Sequence, residues 1–527
     1  MKRVLSVGFA VTAAAALYAA AVPDGKRWWS YVEALANDGM KGRDTGSPEH
    51  LKAAEYVAAE FARLNLKPAG EKGFIQPVKF KSRKLVESGS SLELLRGGKA
   101  ERLTLGEDAM IGVRVDPAES VEAPLVFAGY GLVVPEAKFD DFAGLDLRGK
   151  IIVTIAGGPS DIAAPLKSHY QFVSERARFL KQAGVAGSVV IQNPRTADIP
   201  WSRMATARFQ EAMSLADPGL SDDAGLKIGV TMNPEHADKW FAGSGHDLKE
   251  LLALVDAGKP LPRFPLTPTL RAKVKVERRE VESQNVVAIR PGSDATLKNE
   301  YVVLSAHLDH VGVGEPINGD RIYNGAMDDA SGVASLLDIA AALDENKTQT
   351  KRSLLFVVVT GEEKGLLGSR YFAAHPTVAL NSLAADINMD MFLPLYPLHL
   401  LTVWGLGESD LGDTARRVSK SLDVEVQDDP QPQRNVFIRS DQYSFIRKGV
   451  PSLMMAFGAK PGSKEEQIAK TWLTNRYHAP SDDLNQPVDL KAAGQYNRLI
   501  LTLAEGVANN PTRPKWKADS FFRRFAH

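Results

Sequence analysis

Short apolar runs alternate with helical stretches over about residues 274–509. Four of these runs are rich in Val, Ile and Leu and are typical of buried strands: 285–289, 301–306, 353–359 and 451–456. Val333, Leu336, Leu337 and Ala340 recur at helical spacing between the second and third runs. The alternation predicts an α/β fold with an open, mixed and mainly parallel sheet flanked by helices. In such sheets ligands bind at the carboxyl ends of the parallel strands, so functional residues are expected there.

A different pattern precedes that region and predicts a second, β-rich unit. Its apolar runs are bounded by glycine and lie at 124–132, 149–155 and 187–191. A helical stretch before the last run ends at Ala183, with Gly184 at the usual stop position. The proline-dense stretch 260–268 predicts a linker that closes this unit.

The chain starts like a secretory signal peptide. Lys2 and Arg3 precede an uncharged, alanine-rich stretch that runs from Val4 to Ala21. We therefore expect a signal peptide at 1–21 and an exported protein, periplasmic or secreted. The alternative is an uncleaved anchor helix, but the stretch is barely long enough to span a bilayer and is only weakly hydrophobic. No later stretch of the sequence is long and apolar enough to predict a transmembrane helix.

The composition narrows the chemistry that the chain can perform. Its 527 residues include 64 Lys and Arg against 64 Asp and Glu, a balance that argues against a nucleic-acid-binding protein. The chain has no cysteine, which excludes disulfides, thiolate catalysis and cysteine-based metal sites. A metal ion would therefore be held by carboxylates and by some of the ten histidines.

Acidic and imidazole side chains cluster after the predicted strands and in nearby loops. The clusters are His307–His310, Asp328–Asp329, Glu362–Glu363, Asp390 and Tyr477–Asp483. In extended backbone His307 and Asp309 share a face, whereas His310 points elsewhere and is expected to be a supporting or surface residue. A histidine that binds a metal is commonly held by a carboxylate, which is a role open to Asp309.

Taken singly, these residues also have ordinary structural explanations. Asp328 and Asp329 precede a helix, and helix capping explains one of them but not both. Glu362 and Glu363 follow seven largely apolar residues, so a cation would compensate two like charges at the end of a buried strand. Asp390 lies among apolar residues, where an unpaired carboxylate is costly. Together the clusters fit two divalent ions about 3.5–4 Å apart, which need a bridging carboxylate and roughly two further ligands each.

The order of these motifs resembles peptidase family M28, whose members are co-catalytic zinc metallopeptidases and include many aminopeptidases. The resemblance rests on His307-x-Asp309, Gly325-Ala-x-Asp328-Asp329-x-Ser-Gly332, Gly361-Glu362-Glu363, Asn388-x-Asp390 and Tyr477-His478. Residues 41–48 also resemble the start of that family's peptidase domain, and 124–193 is similar to an inserted protease-associated (PA) domain.

The resemblance implies a division of the chain and a set of metal ligands. After the signal peptide come a first peptidase part (22–100), a PA-like insertion (101–268), a second peptidase part with the metal site (269–510) and a C-terminal tail (511–527). The implied ligands of two Zn²⁺ ions are His307, Asp328, Glu363, Asp390 and His478. Asp328 would bridge the ions, with His307 and Asp390 on one and Glu363 and His478 on the other. Co²⁺ and Mn²⁺ suit the same ligand types.

Three further residues receive catalytic roles from the resemblance. Glu362 would be the general base, Asp309 would support His307, and Tyr477 would donate to the oxyanion. The implied activity is that of an exported aminopeptidase that hydrolyses N-terminal residues of peptides through a metal-bridging hydroxide. A peptide substrate is the expected partner, and the oligomeric state is left open.

Three alternatives remain for the function. A carboxypeptidase or dipeptidase of the same fold would keep the metals and change the specificity pocket. A glutaminyl cyclase-like acyltransferase would use one zinc ion, and a binding protein would need none. The loops 405–410 and 431–443 are candidates for the specificity pocket, with Arg434, Arg439 and Asp441 as possible contacts of a substrate terminus.

Overall fold

A computed structural model describes residues 22–197, 199–222 and 224–526. The predicted signal peptide at 1–21 lies outside the described residues. Two large sheets organise this part of the chain. The described residues contain no helix with both the length and the apolar character needed to cross a membrane.

The first sheet has ten strands among the described residues and is mixed, as predicted. In spatial order, nine of them are Ala212–Leu215, Ile75–Leu85, Val276–Arg290, Ser353–Val359, Tyr301–His307, Leu383–Asn388, Ser452–Phe457, Leu400–Trp404 and Glu425–Gln427. The tenth, Lys67–Pro68, pairs with Val276–Arg290. The four central strands, from Ser353–Val359 to Ser452–Phe457, run parallel to one another. Their outer neighbours, Val276–Arg290 and Leu400–Trp404, pair antiparallel with them.

Helices cover both faces of the first sheet because its strands are apolar on both sides. Val302, Leu304 and Ala306 pack into one core, whereas Val303 packs into the other, as the two-residue period of a strand requires. The first face carries the helices Gly25–Ala36, Pro48–Arg63, Ser331–Glu345, Asp410–Ser421 and Leu490–Asn509. The opposite face carries Leu367–Ala374 and Gln442–Ile446.

The second sheet has eight strands among the described residues and its own apolar core. In spatial order they are Lys99–Leu103, Ser91–Arg96, Arg263–Lys273, Ser120–Ala128, Ile151–Ile155, Gly187–Ile191, Ile228–Met232 and Ala109–Gly112. The helices of this part are Ala164–Gln171, Val173–Ala183, Trp201–Met204, Asp238–Phe241 and Leu248–Asp256. Gly184 ends the second of them in the left-handed conformation (φ 66°), which confirms the predicted helix stop.

The second sheet begins and ends outside the predicted insertion at 101–268, since its strands run from Ser91 to Lys273. One strand inside that range, Ala212–Leu215, instead pairs with Ile75–Leu85 at the edge of the first sheet. The assignment of this part as a PA-like domain stays a prediction. The described residues also form two two-stranded ribbons, which pair Gly312–Ile317 with Asp320–Tyr323 and Val133–Val134 with Phe139–Asp140. A further helix, Lys464–Arg476, precedes the loop that carries His478.

Candidate metal centre

The carboxyl ends of three adjacent parallel strands meet at one edge of the first sheet. His307 is the last residue of Tyr301–His307, and Glu362 and Glu363 follow Ser353–Val359. Asp390 comes two residues after Leu383–Asn388 on the other side of the His307 strand. The sheet thus places these side chains together where ligands of open α/β sheets bind.

Asp328 and His478 reach the same place from outside the sheet. Asp328 precedes the helix Ser331–Glu345, and the carboxylate of Asp482 holds it by accepting the N–H groups of Met327 at 3.0 Å and Asp328 at 3.1 Å. His478 follows the end of the helix Lys464–Arg476. The Tyr477–Asp483 loop therefore contributes both a candidate ligand and the carboxylate that fixes Asp328.

The side chains form two donor groups that share one carboxylate. In the first, His307 Nε2 lies 3.3 Å from Asp328 Oδ1 and 3.7 Å from Asp390 Oδ1. In the second, His478 Nε2 lies 3.2 Å from Asp328 Oδ2 and 3.2 Å from Glu363 Oε2. Each oxygen of Asp328 thus faces a different group.

These residues fit a pair of divalent cations. Four ligands at about 2.0 Å from a tetrahedral Zn²⁺ lie about 3.3 Å from one another, close to most of the separations observed here. Asp328 Oδ2 and Glu363 Oε1 are buried and accept no hydrogen bond from the described residues. Imidazole and carboxylate donors suit Zn²⁺, Co²⁺ and Mn²⁺.

The electrostatics of the site favour positive charge. Burial by itself lowers the pKa of His478, but Glu363 and Asp328 outweigh it and raise that pKa to about 10. Burial likewise opposes charge on Glu363, yet the His478 and His310 imidazoles hold the pKa of Glu363 well below its ordinary value. Glu362 and the carboxylates of Asp328 and Asp390 raise the pKa of His307 well above its usual range, against the effect of burial. The acids of the site therefore stabilise cations beside them.

Asp309 supports the site in a different way from the expected one. His307 Nδ1 lies 3.0 Å from the backbone carbonyl of Asp309 rather than from its carboxylate. The carboxylate accepts the N–H groups of Glu362 at 3.1 Å and Glu363 at 3.3 Å, and the hydroxyl of Thr45 at 2.9 Å. Asp309 thus orients His307 through its backbone and the Glu362–Glu363 loop through its side chain.

His310 lies within the site, contrary to the surface position that the strand period allowed. It is fully buried, and its Nδ1 lies 2.8 Å from Glu363 Oε1 and 3.8 Å from Asp328 Oδ2. The two-residue period fails here because the strand ends at His307, so the backbone is no longer extended when it reaches His310. His310, Asp328 and Glu363 also present donor atoms close enough together to hold an ion.

Two buried residues that had no predicted site role shape the loops around the ligands. The guanidinium of Arg43 donates to the carbonyls of Leu308 at 2.9 Å, Asn324 at 2.7 Å and Gly325 at 3.0 Å. Asp329 accepts the N–H of His307 at 3.2 Å and that of Gly332 at 2.9 Å, in the first turn of the following helix. The capping explanation therefore holds for Asp329, while Asp328 faces the donor groups. Burial of Arg43 depends on distant segments, so the sequence carried no signal for it.

Glu362 and Tyr477 border a cavity of about 290 Å³ beside the donor groups. Burial first, and then the neighbouring acids Glu363 and Asp390, raise the pKa of Glu362 well above its ordinary value. Burial also raises the pKa of Tyr477, whose ring lies 4.0 Å from that of His478 between centroids. The cavity also has an apolar wall: Met391, Leu393, Tyr396, Met454, Phe457 and Leu473.

The predicted specificity loops contribute unequally to this cavity. Arg434, Arg439 and other residues of 431–443 line it, and Asp441 is fully buried nearby. Among the described residues that line the cavity, none comes from 405–410.

The first sheet thus gathers carboxylates and imidazoles into a candidate metal centre, and comparison with known proteins shows what the chain is similar to. Residues 285–504 match the model of peptidase family M28, and this range includes every residue of both donor groups. A probable leucine aminopeptidase 2 of Aspergillus oryzae is 31% identical over 291 residues, which are 53% of this chain and 54% of that protein. Its counterpart in Aspergillus fumigatus is 30% identical over 258 residues, 45% of each chain. The chain thus spans about half the length of these curated relatives.

Solved structures agree on the fold over a longer stretch. An aminopeptidase from Aneurinibacillus sp. strain AM-1 superposes with a TM-score of 0.56 at 22% identity, covering 93% of this chain and 95% of that one. A zinc aminopeptidase from Bacillus subtilis gives a TM-score of 0.50 at 19% identity, covering 93% and 97%. The predicted α/β fold class is confirmed.

Proposed function

We propose that this protein is an exported metallo-aminopeptidase that uses two Zn²⁺ ions to remove apolar residues from the amino ends of peptides. The observation that carries the proposal is the position of the Asp328 carboxylate between the two donor groups. Its Oδ1 lies 3.3 Å from His307 Nε2, and its Oδ2 lies 3.2 Å from His478 Nε2. A carboxylate shared in this way suits a pair of metal ions. His307 and Asp390 would complete the ligands of one ion, and Glu363 and His478 would complete those of the other.

Zn²⁺ bound there would polarise the scissile carbonyl and lower the pKa of water towards neutrality. Glu362 is the base that accepts the proton of the attacking water, because it borders the cavity and belongs to neither donor group. From this position Glu362 would also return the proton to the leaving amine. The N–H···Oδ1 contact of 3.1 Å with Asp309 fixes the backbone from which Glu362 projects.

Tyr477 donates a hydrogen bond to the oxyanion that forms on the scissile carbonyl. Its hydroxyl keeps its proton at neutral pH because burial raises its pKa well above the usual range. Its place on the cavity wall, next to His478, brings it beside the second donor group. A neutral donor at this point stabilises developing negative charge.

The cavity supports the choice of an apolar amino-terminal residue. The wall formed by Met391, Leu393, Phe457 and their neighbours suits an aliphatic or aromatic side chain. Glu362 and Asp390 border the same space and favour a positively charged amino group. The curated relatives that bear the name leucine aminopeptidase are consistent with that preference.

The experiment is a substrate screen on protein whose zinc content has been measured. Leucyl and phenylalanyl p-nitroanilides should be cleaved faster than glutamyl and lysyl p-nitroanilides, and N-acetyl-leucyl p-nitroanilide should be inert. Cleavage of the acetylated compound, removal of carboxyl-terminal residues, or cyclisation of N-terminal glutamine would contradict the proposal and support one of the other enzymes. Amino-terminal sequencing of the mature protein tests export, with a start after Ala21 as the expected result.

A further inference from the structure

The segment that carries His478 ends a helix whose last carbonyls need hydrogen-bond donors. The helix Lys464–Arg476 is followed by its cap residue Tyr477, which directly precedes His478. The final carbonyls of an α-helix have no partners within the helix, so groups from elsewhere satisfy them. At this helix end, two of the carbonyls accept hydrogen bonds from Arg203.

Arg203 lies in the short helix Trp201–Met204, which follows the second-sheet strand Gly187–Ile191 and precedes the first-sheet strand Ala212–Leu215. Its side chain reaches the end of the helix Lys464–Arg476. Its Nη1 donates to the carbonyl of Tyr477 at 2.7 Å, and its Nη2 donates to the carbonyl of Thr474. A planar guanidinium fork suits two carbonyls at once, and its positive charge is favourable at the negative end of a helix dipole.

The backbone next to this contact has a conformation that neighbouring groups must maintain. His478 has φ 50°, in the left-handed region that a residue other than glycine rarely adopts. Such a residue keeps its conformation only when surrounding contacts fix it. The N–H of Ala479 donates to the carbonyl of Arg476 at 3.0 Å on the inner side of the turn, and Arg203 holds the carbonyl of Tyr477.

A second arginine from residues 91–273, Arg114, contacts the loop that carries Glu363. Arg114 follows the strand Ala109–Gly112, and its Nη2 donates to the carbonyl of Lys364 at 2.5 Å, one residue after Glu363. The next residue is Gly365 with φ 111°, and a Cβ there would lie 2.6 Å from Arg114 Nη2. The close approach of Arg114 therefore depends on a glycine at this position.

We infer that residues 91–273, the range that contains the second sheet, position the two loops that carry Glu363 and His478, and that Arg203 is a positioning residue for the zinc ion they hold. The inference rests on the proposed function for the identity of that ion. Arg203 touches neither donor group and acts through the carbonyls of Thr474 and Tyr477. The inference gives this connecting segment a role in metal retention.

The test compares Arg203→Met with the wild type and with Arg195→Met. Arg195 belongs to the same part of the chain, is 72% exposed and pairs with Asp256, so it controls for loss of an arginine away from the ligand loops. Zinc affinity is measured by titration of metal-free protein against a chromophoric chelator, and backbone exchange of 474–482 is followed by hydrogen–deuterium mass spectrometry. Arg203→Met should bind one of two Zn²⁺ ions at least about tenfold more weakly, as loss of a supporting contact does. Peptides covering 474–482 should exchange faster.

Arg203→Lys provides the rescue, because an ammonium can reach one carbonyl at a time and should restore part of the affinity. It also keeps the test open if Arg203→Met folds poorly. Wild-type affinity for both ions and wild-type exchange in Arg203→Met would overturn the inference, as would equal losses in Arg195→Met. The exchange measurement can be made without zinc, so failure of this inference is distinguishable from a wild type that binds no zinc.

Discussion

Exchange of one of two adjacent glutamates for glutamine should separate catalysis from metal binding. Glu362→Gln keeps the size of the side chain and removes its ability to accept a proton. The donor groups contain Glu363 but not Glu362, so both ions should remain bound. Glu363→Gln is the matched control, since the same chemical change one residue later replaces a carboxylate that lies 3.2 Å from His478 Nε2.

The size of the expected effect follows from the role of Glu362. A positioned general base contributes about 10²–10⁴-fold to the rate. That factor corresponds to about 3–5 kcal/mol in the activation barrier. The backbone N–H of Glu362 donates to Asp309 in either variant, so the loop should keep its shape. We therefore expect kcat for leucyl p-nitroanilide to fall by about 10²–10⁴ in Glu362→Gln, with little change in KM.

The assay pairs steady-state kinetics with zinc content determined by mass spectrometry on the same preparations. Glu362→Gln should contain as much zinc as the wild type and be nearly inactive, whereas Glu363→Gln should lose zinc. A zinc-replete Glu362→Gln enzyme with wild-type kcat would remove Glu362 from the mechanism. Loss of zinc from Glu362→Gln would place this residue among the ligands and refute the division of roles between the two glutamates.

Three further predictions concern other residues of the chain. Asp328→Ala should lose both zinc ions together, since each carboxylate oxygen faces one donor group; retention of one fully occupied ion, measured by mass spectrometry, would exclude the bridge. His310→Ala should weaken zinc binding by roughly tenfold because His310 Nδ1 lies 2.8 Å from Glu363 Oε1. The control His375→Ala, at a histidine that is 49% exposed, should bind zinc like the wild type. Equal zinc affinities of His310→Ala and the wild type in a chelator competition would assign His310 to packing alone. Burial raises the pKa of Asp141 to about 7, so the folded state binds the proton of this carboxyl group more tightly than the unfolded state does. The ionised carboxylate therefore lowers the free energy of unfolding increasingly as pH rises from about 4 to 7. Asp141→Asn should therefore compare more favourably with the wild type in thermal unfolding at pH 8 than at pH 4, and the opposite trend would contradict the shift.

The sequence predicted the elements of the first sheet where the residue period is unambiguous. The run 353–359 coincides with the strand Ser353–Val359, and 301–306 differs by one residue from Tyr301–His307. Both strands are central and buried on both faces, so apolar composition alone identifies them. The edge strand Glu425–Gln427 is short and largely polar, and no comparable pattern marks it.

The sequence predicted those residues of the candidate site that directly follow the strands of the first sheet. His307, Glu363 and Asp390 lie together because neighbouring parallel strands end at one edge. His310 and Arg203 were missed or misplaced because their positions depend on irregular backbone and on contacts between distant segments. A residue period describes regular elements and carries no information on such loops.

The central claim is that two zinc ions at the shared Asp328 carboxylate support cleavage next to a free amino group. The most direct measurement is a zinc titration of metal-free protein during hydrolysis of leucyl p-nitroanilide, with N-acetyl-leucyl p-nitroanilide run in parallel. The account predicts that hydrolysis of the free-amine substrate reaches its maximum at two zinc ions per chain, and that the acetylated substrate stays intact throughout. A maximum at one zinc ion per chain, or cleavage of the acetylated substrate, would contradict it.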